Sequence, residues 1–145
     1  MPEDRKPFDE DLFGQQHVRA YRETGGERGY HWRGTTILLL TTTGRASGQD
    51  RTTPLIFRDD GDREGWVVVA SKGGSPDHPD WYKNLLADPE ATLEIKSERI
   101  PVRAETARGD ERARLWRRMT EVWPDYDRYQ QRTDREIPVV VFRRR

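Results

Sequence analysis

The sequence predicts an α+β fold dominated by β structure, a small six-stranded antiparallel β-barrel with flanking helices. Three observations carry that expectation. Six short segments, among them Thr35–Thr43 and residues 66–70, are rich in β-branched and apolar residues and have strand character. Tight turns join most of them, and tight turns imply antiparallel pairing because parallel pairs need long crossovers. Closing six such strands hides their edges, which a barrel with helices around it achieves.

The 145 residues fit one domain, read as a flexible lead over residues 1–9 and a single domain over residues 10–145. A domain of this size buries about 68% of its unfolded surface, enough for a core. Hydrophobic residues make up 32% and charged residues 36%, with the apolar ones gathered in short runs, so a compact core lies under a charged shell. The 26 basic and 26 acidic side chains cancel, which argues against a nucleic-acid partner, since that needs a net basic face. Arg117 with Arg118, and Arg143, Arg144 and Arg145, read as solvated surface charge.

The absence of cysteine excludes disulfides, thiolate catalysis and cysteine-held metals. His17, His31 and His78 are too dispersed for a zinc site. The polar, acidic start lacks the apolar core of a signal peptide. The run Ile37 to Leu40 is far below the ~20 residues of a membrane span, so the expected location is cytoplasmic.

In chain order, residues 11–24 form a helix with Leu12, Phe13, Gln16, Ala20 and Tyr21 near one side, ended by Gly25-Gly26. Thr35–Thr43 is a buried strand, residues 44–50 a turn, and residues 51–57 a second strand. Asp59-Asp60-Gly61-Asp62 turns the chain into a third, apolar strand over 66–70. A Gly-rich stretch over 71–79 leads to a short helix, Asp80–Ala87, stopped by Asp88-Pro89. Residues 91–96 and 100–106 pair as a hairpin, with Thr92, Glu94 and Lys96 on a solvent face. Residues 110–122 form a charged helix with Leu115, Trp116 and Met119 as its core stripe, broken at Pro124. Residues 137–142 are the last strand, with Pro138 near its start.

Two turns could carry chemistry. In the first, Gly44 and Gly48 allow amides to curl inward around an anion, Ser47 adds a hydroxyl, and Arg45 and Arg51 add forked cations suited to phosphate. An ordinary hairpin turn explains the same residues. The second, Ser71-Lys72-Gly73-Gly74-Ser75, follows a buried strand and offers a mobile ammonium, although a flexible loop explains it equally. If the two preceding strands are neighbours, both turns share one rim, and a planar ligand with a phosphate tail finds cations at one end and apolar walls at the other. Trp81 could stack on a ring or serve the core. Trp123, Tyr126 and Tyr129 could form a movable wall over the pocket or pack inward. Neither a Gly-x-Ser-x-Gly elbow nor a P-loop occurs.

The blocks LLLTTTGRASGQDRTTPLIF, VVVASKGGSPDHPDWYKNLLADPEATLEI and DYDRYQQRTDREIPVVVF together resemble the deazaflavin-dependent nitroreductase and quinone reductase family, small split-β-barrel proteins that use coenzyme F420. The resemblance implies that the 44–48 turn and Arg51 meet the cofactor's phosphate and acidic tail. It implies that Thr53, Pro54 and Leu55 line the deazaflavin ring, with Ala70, Ser71, Lys72 and Gly73 adjoining it and Trp81 at the pocket edge. Ser71, Tyr126 and Tyr129 match acceptor-side positions, where hydrogen bonds would assist hydride and proton transfer. Ala46 stands where the family commonly has Lys, and Asp50 where it has a basic or neutral residue. Trp123 stands where nitro-reducing relatives can show Tyr, which counts against nitroimidazole reduction in particular; the implied acceptor is a quinone or a nitroaromatic, with quinone reduction the favoured activity. An FMN-dependent oxidoreductase on the same barrel, or a deazaflavin-binding protein without turnover, are the alternatives. The expected assembly is a monomer or homodimer, and the 11–24 helix could rest on a membrane surface.

Overall fold

The computed structural model describes residues 11–145, so the lead expected over residues 1–9 lies outside the described residues. Among the described residues four α-helices and a short 3-10 turn over Lys72–Gly74 accompany seven strands: α1 (Gly14–Thr24), β1 (His31–Trp32), β2 (Thr35–Thr43), β3 (Asp50–Asp59), β4 (Trp66–Val69), α2 (Asp80–Ala87), β5 (Glu90–Ile95), β6 (Glu98–Thr106), α3 (Gly109–Val122), α4 (Asp125–Gln131) and β7 (Val139–Arg144). The order β2-β3-β4-β7-β6-β5 is antiparallel throughout, and β5 pairs back onto β2 to close six strands into a barrel. The two-residue β1 extends the edge of β2 beyond the part that β5 covers.

The uninterrupted apolar runs follow from burial on both faces of a strand. Leu38 and Leu40 of β2 point into the barrel with Leu93, Val102, Val140 and Phe142. Ile37 and Leu39, on the opposite pleat, lie under Val18 and Tyr21 of α1. Val67, Val139 and Val141 likewise lie under Leu115 and Met119 of α3. A strand alternates its side chains, so only cover on both sides makes every position apolar.

Three expectations need correction, and a fourth, the break at Pro124, holds but is incomplete. The α1 face is His17, Val18 and Tyr21 rather than a stripe through Phe13 and Gln16. Phe13 is an extended N-cap residue and 55% exposed, so helical spacing cannot be counted from it. Glu94 is not on a solvent face: only 8% exposed, it accepts a forked hydrogen bond from Arg22 at 2.6–3.1 Å, which docks α1 across β5. Pro124 does not merely break a helix. It caps the start of α4, where a missing N–H costs nothing, with Asp125 and Asp127 in the first turn. Finally, the C-terminal arginines belong to the architecture. Arg143 sits in β7 paired with Asp60 and Glu111, and Arg145 donates to the carbonyls of Val102 and Ala91.

The barrel is open between β3 and β4. β3 has ten residues, but its ladder with the four-residue β4 spans only Arg58↔Val67 and Asp59↔Trp66. The earlier half of β3 therefore has a partner on one side only, which is where Pro54 can sit in mid-strand. Thr52 to Ile56 are all half-buried, a sign that neither face is fully covered. Among the described residues no helix is long and apolar enough to cross a membrane.

Candidate active site

The split between β3 and β4 becomes a cleft of about 470 Å³. Thr53, Pro54, Leu55 and Ile56 form one wall, and Ser71, Lys72 and Gly73, where the chain leaves β4, form the wall opposite. Trp123, Tyr126 and Tyr129 close the top from α4 and its approach, and Trp32 and Phe13 line the mouth. A second cavity of about 460 Å³ lies alongside, lined by Gly44, Arg45, Ala46, Ser47 and Arg51. Thr53 and Trp81 line both, so the 44–48 turn and the 71–73 loop meet at one rim, although their strands β2 and β4 are not neighbours but flank β3.

Local chemistry explains the shape of the second cavity. The amide of Gly44 donates to the Gln49 carbonyl at 2.8 Å and that of Gly48 to the Gly44 carbonyl at 2.8 Å. A Cβ on Gly44 would lie 2.8 Å from Ser47 Oγ, and Gly48 holds φ +73°, so both positions require glycine. Asn84, buried on α2, ties the turn down. Its Oδ1 accepts from the Arg45 amide at 3.1 Å and from Arg45 Nη1 at 2.8 Å, while its Nδ2 donates to Thr42 Oγ1. Asp80 takes the other end of the Arg45 guanidinium at 3.2 Å. Arg45 is therefore already engaged. Among the described residues, the side chains of Arg51 and Lys72 and the amides of Ala46 and Ser47 have no partner.

The upper wall is aromatic. Trp32 stacks on Trp123 at 6.0 Å, Phe13 meets Trp32 edge-on at 5.6 Å, and Trp123 Nε1 donates to Tyr129 Oη at 3.3 Å. Burial, and secondarily the neighbouring Tyr129, push the Tyr126 phenol well above its ordinary pKa of 10.0. It therefore stays protonated and can only donate or accept a hydrogen bond, never act as a base.

Of the residues singled out from sequence in the two turns and their flanks, Ala70, Gly48, Gly74 and Ser75 line neither cavity. Ala70 is fully buried in the barrel, with its carbonyl held by Arg135. Gly48 shapes the turn without lining the cavity. Asp50 lines a separate polar groove with Thr43 and Asp88, so its charge falls outside the Gly44–Ser47 cradle.

The model of the F420H(2)-dependent quinone reductases matches residues 13–144. The chain belongs to this family. An F420H(2)-dependent quinone reductase of Mycobacterium tuberculosis is 42% identical over 133 residues, 89% of this chain and 88% of its own. Among solved structures, an F420-H2 dependent reductase is 38% identical over 77% of this chain and 95% of that one, with a TM-score of 0.67. A protein described as a domain-swapped dimer is 36% identical over 89% and 95%, with a TM-score of 0.70. The heme storage protein HutZ of Vibrio cholerae, 15% identical with a TM-score of 0.58 over 92% of each chain, shares the fold alone.

For this F420H(2)-dependent quinone reductase family member, sequence reasoning missed Trp32, Asn84 and Arg135. Trp32 sits in a strand of two residues, too short for any periodicity. Asn84 and Arg135 act across 42 and 65 positions of chain, to Thr42 and Ala70, so only the folded topology reveals them.

Proposed function

We propose that the chain oxidises reduced coenzyme F420 and delivers the hydride to a quinone-type acceptor. The observation that carries this reading is the confluence of the two cavities through Thr53 and Trp81. The residues present fit such a group. Pro54, Leu55, Ile56 and Val69 offer an aliphatic slot for a flat ring, and Arg51, Lys72 and the free amides of Ala46 and Ser47 offer donors for a phosphate and carboxylate tail. When bound, the reduced deazaflavin supplies the hydride.

The protein's part is to bind, orient and exclude water. Arg51 and Lys72 neutralise the anionic tail. The aromatic wall of Trp32, Trp123 and Tyr129 gives the acceptor ring a flat surface and keeps solvent from the cleft. Tyr126, kept protonated by its burial, supplies a hydrogen bond to the acceptor oxygen as charge develops there. Ser71 supplies a second hydroxyl from the opposite wall.

Oxidation of reduced F420 by menadione, followed through the return of F420 fluorescence, tests the reading. A titration showing no F420 binding at tens of micromolar overturns it, and a protein that purifies yellow with FMN replaces it. A nitroarene assayed beside menadione sets the acceptor range, and sedimentation equilibrium decides between monomer and homodimer. Arg51→Ala should weaken F420 binding about tenfold, the share of one charged hydrogen bond. Tyr126→Phe should leave affinity intact and slow turnover about tenfold, the effect of one lost transition-state donor.

A further inference from the structure

Three consecutive residues beside the cleft, Lys72, Gly73 and Gly74, hold φ of 46°, 62° and 84°. Left-handed backbone is strained for a non-glycine residue such as Lys72, so something must hold the loop in this shape. Its concave side is filled by the guanidinium of Arg135. Nε donates to the Ser75 carbonyl at 2.8 Å, Nη2 to the Ser71 carbonyl at 2.8 Å, and Nη1 to the Ala70 carbonyl at 3.2 Å. Nη1 also reaches His78 Nδ1 at 3.0 Å. Among the described residues no carboxylate forms an ion pair with Arg135; burial lowers its pKa below the ordinary guanidinium value, and the charge of Asp77 only partly opposes this. A part-buried cation whose polar contacts are carbonyls and an imidazole serves the shape of the loop rather than charge balance.

We propose that Arg135 is a positioning residue of the site, one that sets the Ser71 hydroxyl and the Lys72 ammonium against the cleft and is itself steadied by neutral His78. The inference rests on the functional reading above only for what Ser71 and Lys72 meet. The latch itself is a matter of backbone. Among the described residues, neither Lys72 Nζ nor the Ser71 hydroxyl has a side-chain partner to fix it, so the carbonyls gripped by Arg135 determine where both side chains start.

The His78 contact has a pH signature. Guanidinium only donates, so Nδ1 must be the acceptor and the ring proton must lie on Nε2. Protonation would set two cations against each other. The groups facing His78 are Arg135 from beyond α4, Lys83 and the Tyr82 ring from α2, and its neighbour Asp77. Burial first, then Arg135 and Lys83, lower the His78 pKa from 6.5, and Asp77 opposes them. A folded value below the unfolded one means that the latch's contribution is complete above pH 6.5 and is lost as pH falls through the folded value.

The test uses hydrogen exchange by NMR together with F420 titration. The amides of Gly74 and Ser75, bonded to the Ser71 and Lys72 carbonyls, report the loop without any ligand. Arg135→Ala should speed their exchange about tenfold and weaken F420 binding about tenfold, with partial rescue by Arg135→Lys, which keeps the charge but not the planar fork. In the wild type, exchange corrected for intrinsic rate should rise below pH 6.5, and His78→Asn, whose side-chain oxygen accepts at every pH, should remove that rise. Unchanged exchange in Arg135→Ala overturns the proposal. Should that variant fail to fold, a wild-type profile flat through pH 6.5 overturns it instead. Faster exchange with no F420 binding, even by the wild type, leaves the latch standing and removes the cofactor reading.

Discussion

Gly74→Ala is expected to destabilise the protein by about 3 kcal/mol, while Gly73→Ala one position earlier costs only about 1 kcal/mol. Gly74 holds φ +84°, and a Cβ there would lie 2.6 Å from the Tyr129 carbonyl oxygen and 3.1 Å from Arg132 Cβ. The first contact is with backbone, so it cannot be relieved by turning a side chain. Left-handed strain of roughly 1–2 kcal/mol adds to an overpacking cost of roughly 1–3 kcal/mol. Gly73 holds φ +62° with nothing within 4 Å, so it meets the strain alone. At about 3 °C per kcal/mol the two variants should differ by several degrees in Tm, read by calorimetry. The consequence for function follows from which element is displaced. Tyr129 belongs to the aromatic wall, and Arg132 of the same turn donates to the Gly73 carbonyl at 3.2 Å, so loop and wall are packed as one unit. Gly74→Ala should therefore also lower acceptor turnover, whereas Gly73→Ala should not. Equal melting temperatures for the two would show that the loop and α4 do not meet as described.

The barrel was legible because its signals are local. β2 and β4 announce themselves through β-branched apolar runs, α2 through its stop at Asp88-Pro89, and the 44–48 turn through its glycines. The meeting of the two Gly/basic turns was expected only for neighbouring strands; β2 and β4 instead flank β3, and the turns meet across the short β3–β4 ladder. What stayed hidden depends on distant pairs. Nothing in the alternation of Thr92, Glu94 and Lys96 says that Arg22 will cover Glu94 from 72 residues away. Nor does an arginine-rich tail distinguish solvated charge from Arg143, which a buried carboxylate claims. The position of the opening between β3 and β4 comes from a mismatch in strand length, visible only once the ladder is counted.

The closed end of that opening is held by Asp60, and Asp60→Ala is expected to loosen it, at a cost of about 3 kcal/mol. Asp60 is 0% exposed. Its Oδ1 accepts from Arg114 Nη2 at 3.0 Å and from the Asp62 amide at 3.2 Å. Its Oδ2 faces Arg143 Nη1 at 3.1 Å, a charge contact whose geometry falls short of a hydrogen bond. Removing one partner of a buried pair costs roughly 3–5 kcal/mol, and the lower figure applies because Arg114 and Arg143 keep some contact with water. Burial alone would raise the Asp60 pKa. The Arg114 hydrogen bond, the Asp62 amide and the charges of Arg143 and Arg114 more than reverse this and hold it below 3.8. A folded value below the unfolded one gives stability that is complete above pH 3.8 and lost as pH falls through the folded value. Asp60→Asn should thus melt lower than the wild type at neutral pH yet lose less on acidification from pH 4 to pH 2. Equal acid slopes would take Asp60 out of that role. Because the only β3–β4 ladder pairs lie at Arg58 and Asp59, just before this carboxylate, loosening it frees the β3 wall of the cleft. Asp60→Ala should therefore weaken F420 binding although no residue lining either cavity of the site has changed, and that distant effect separates a role in holding the β3 wall from a merely stabilising ion pair.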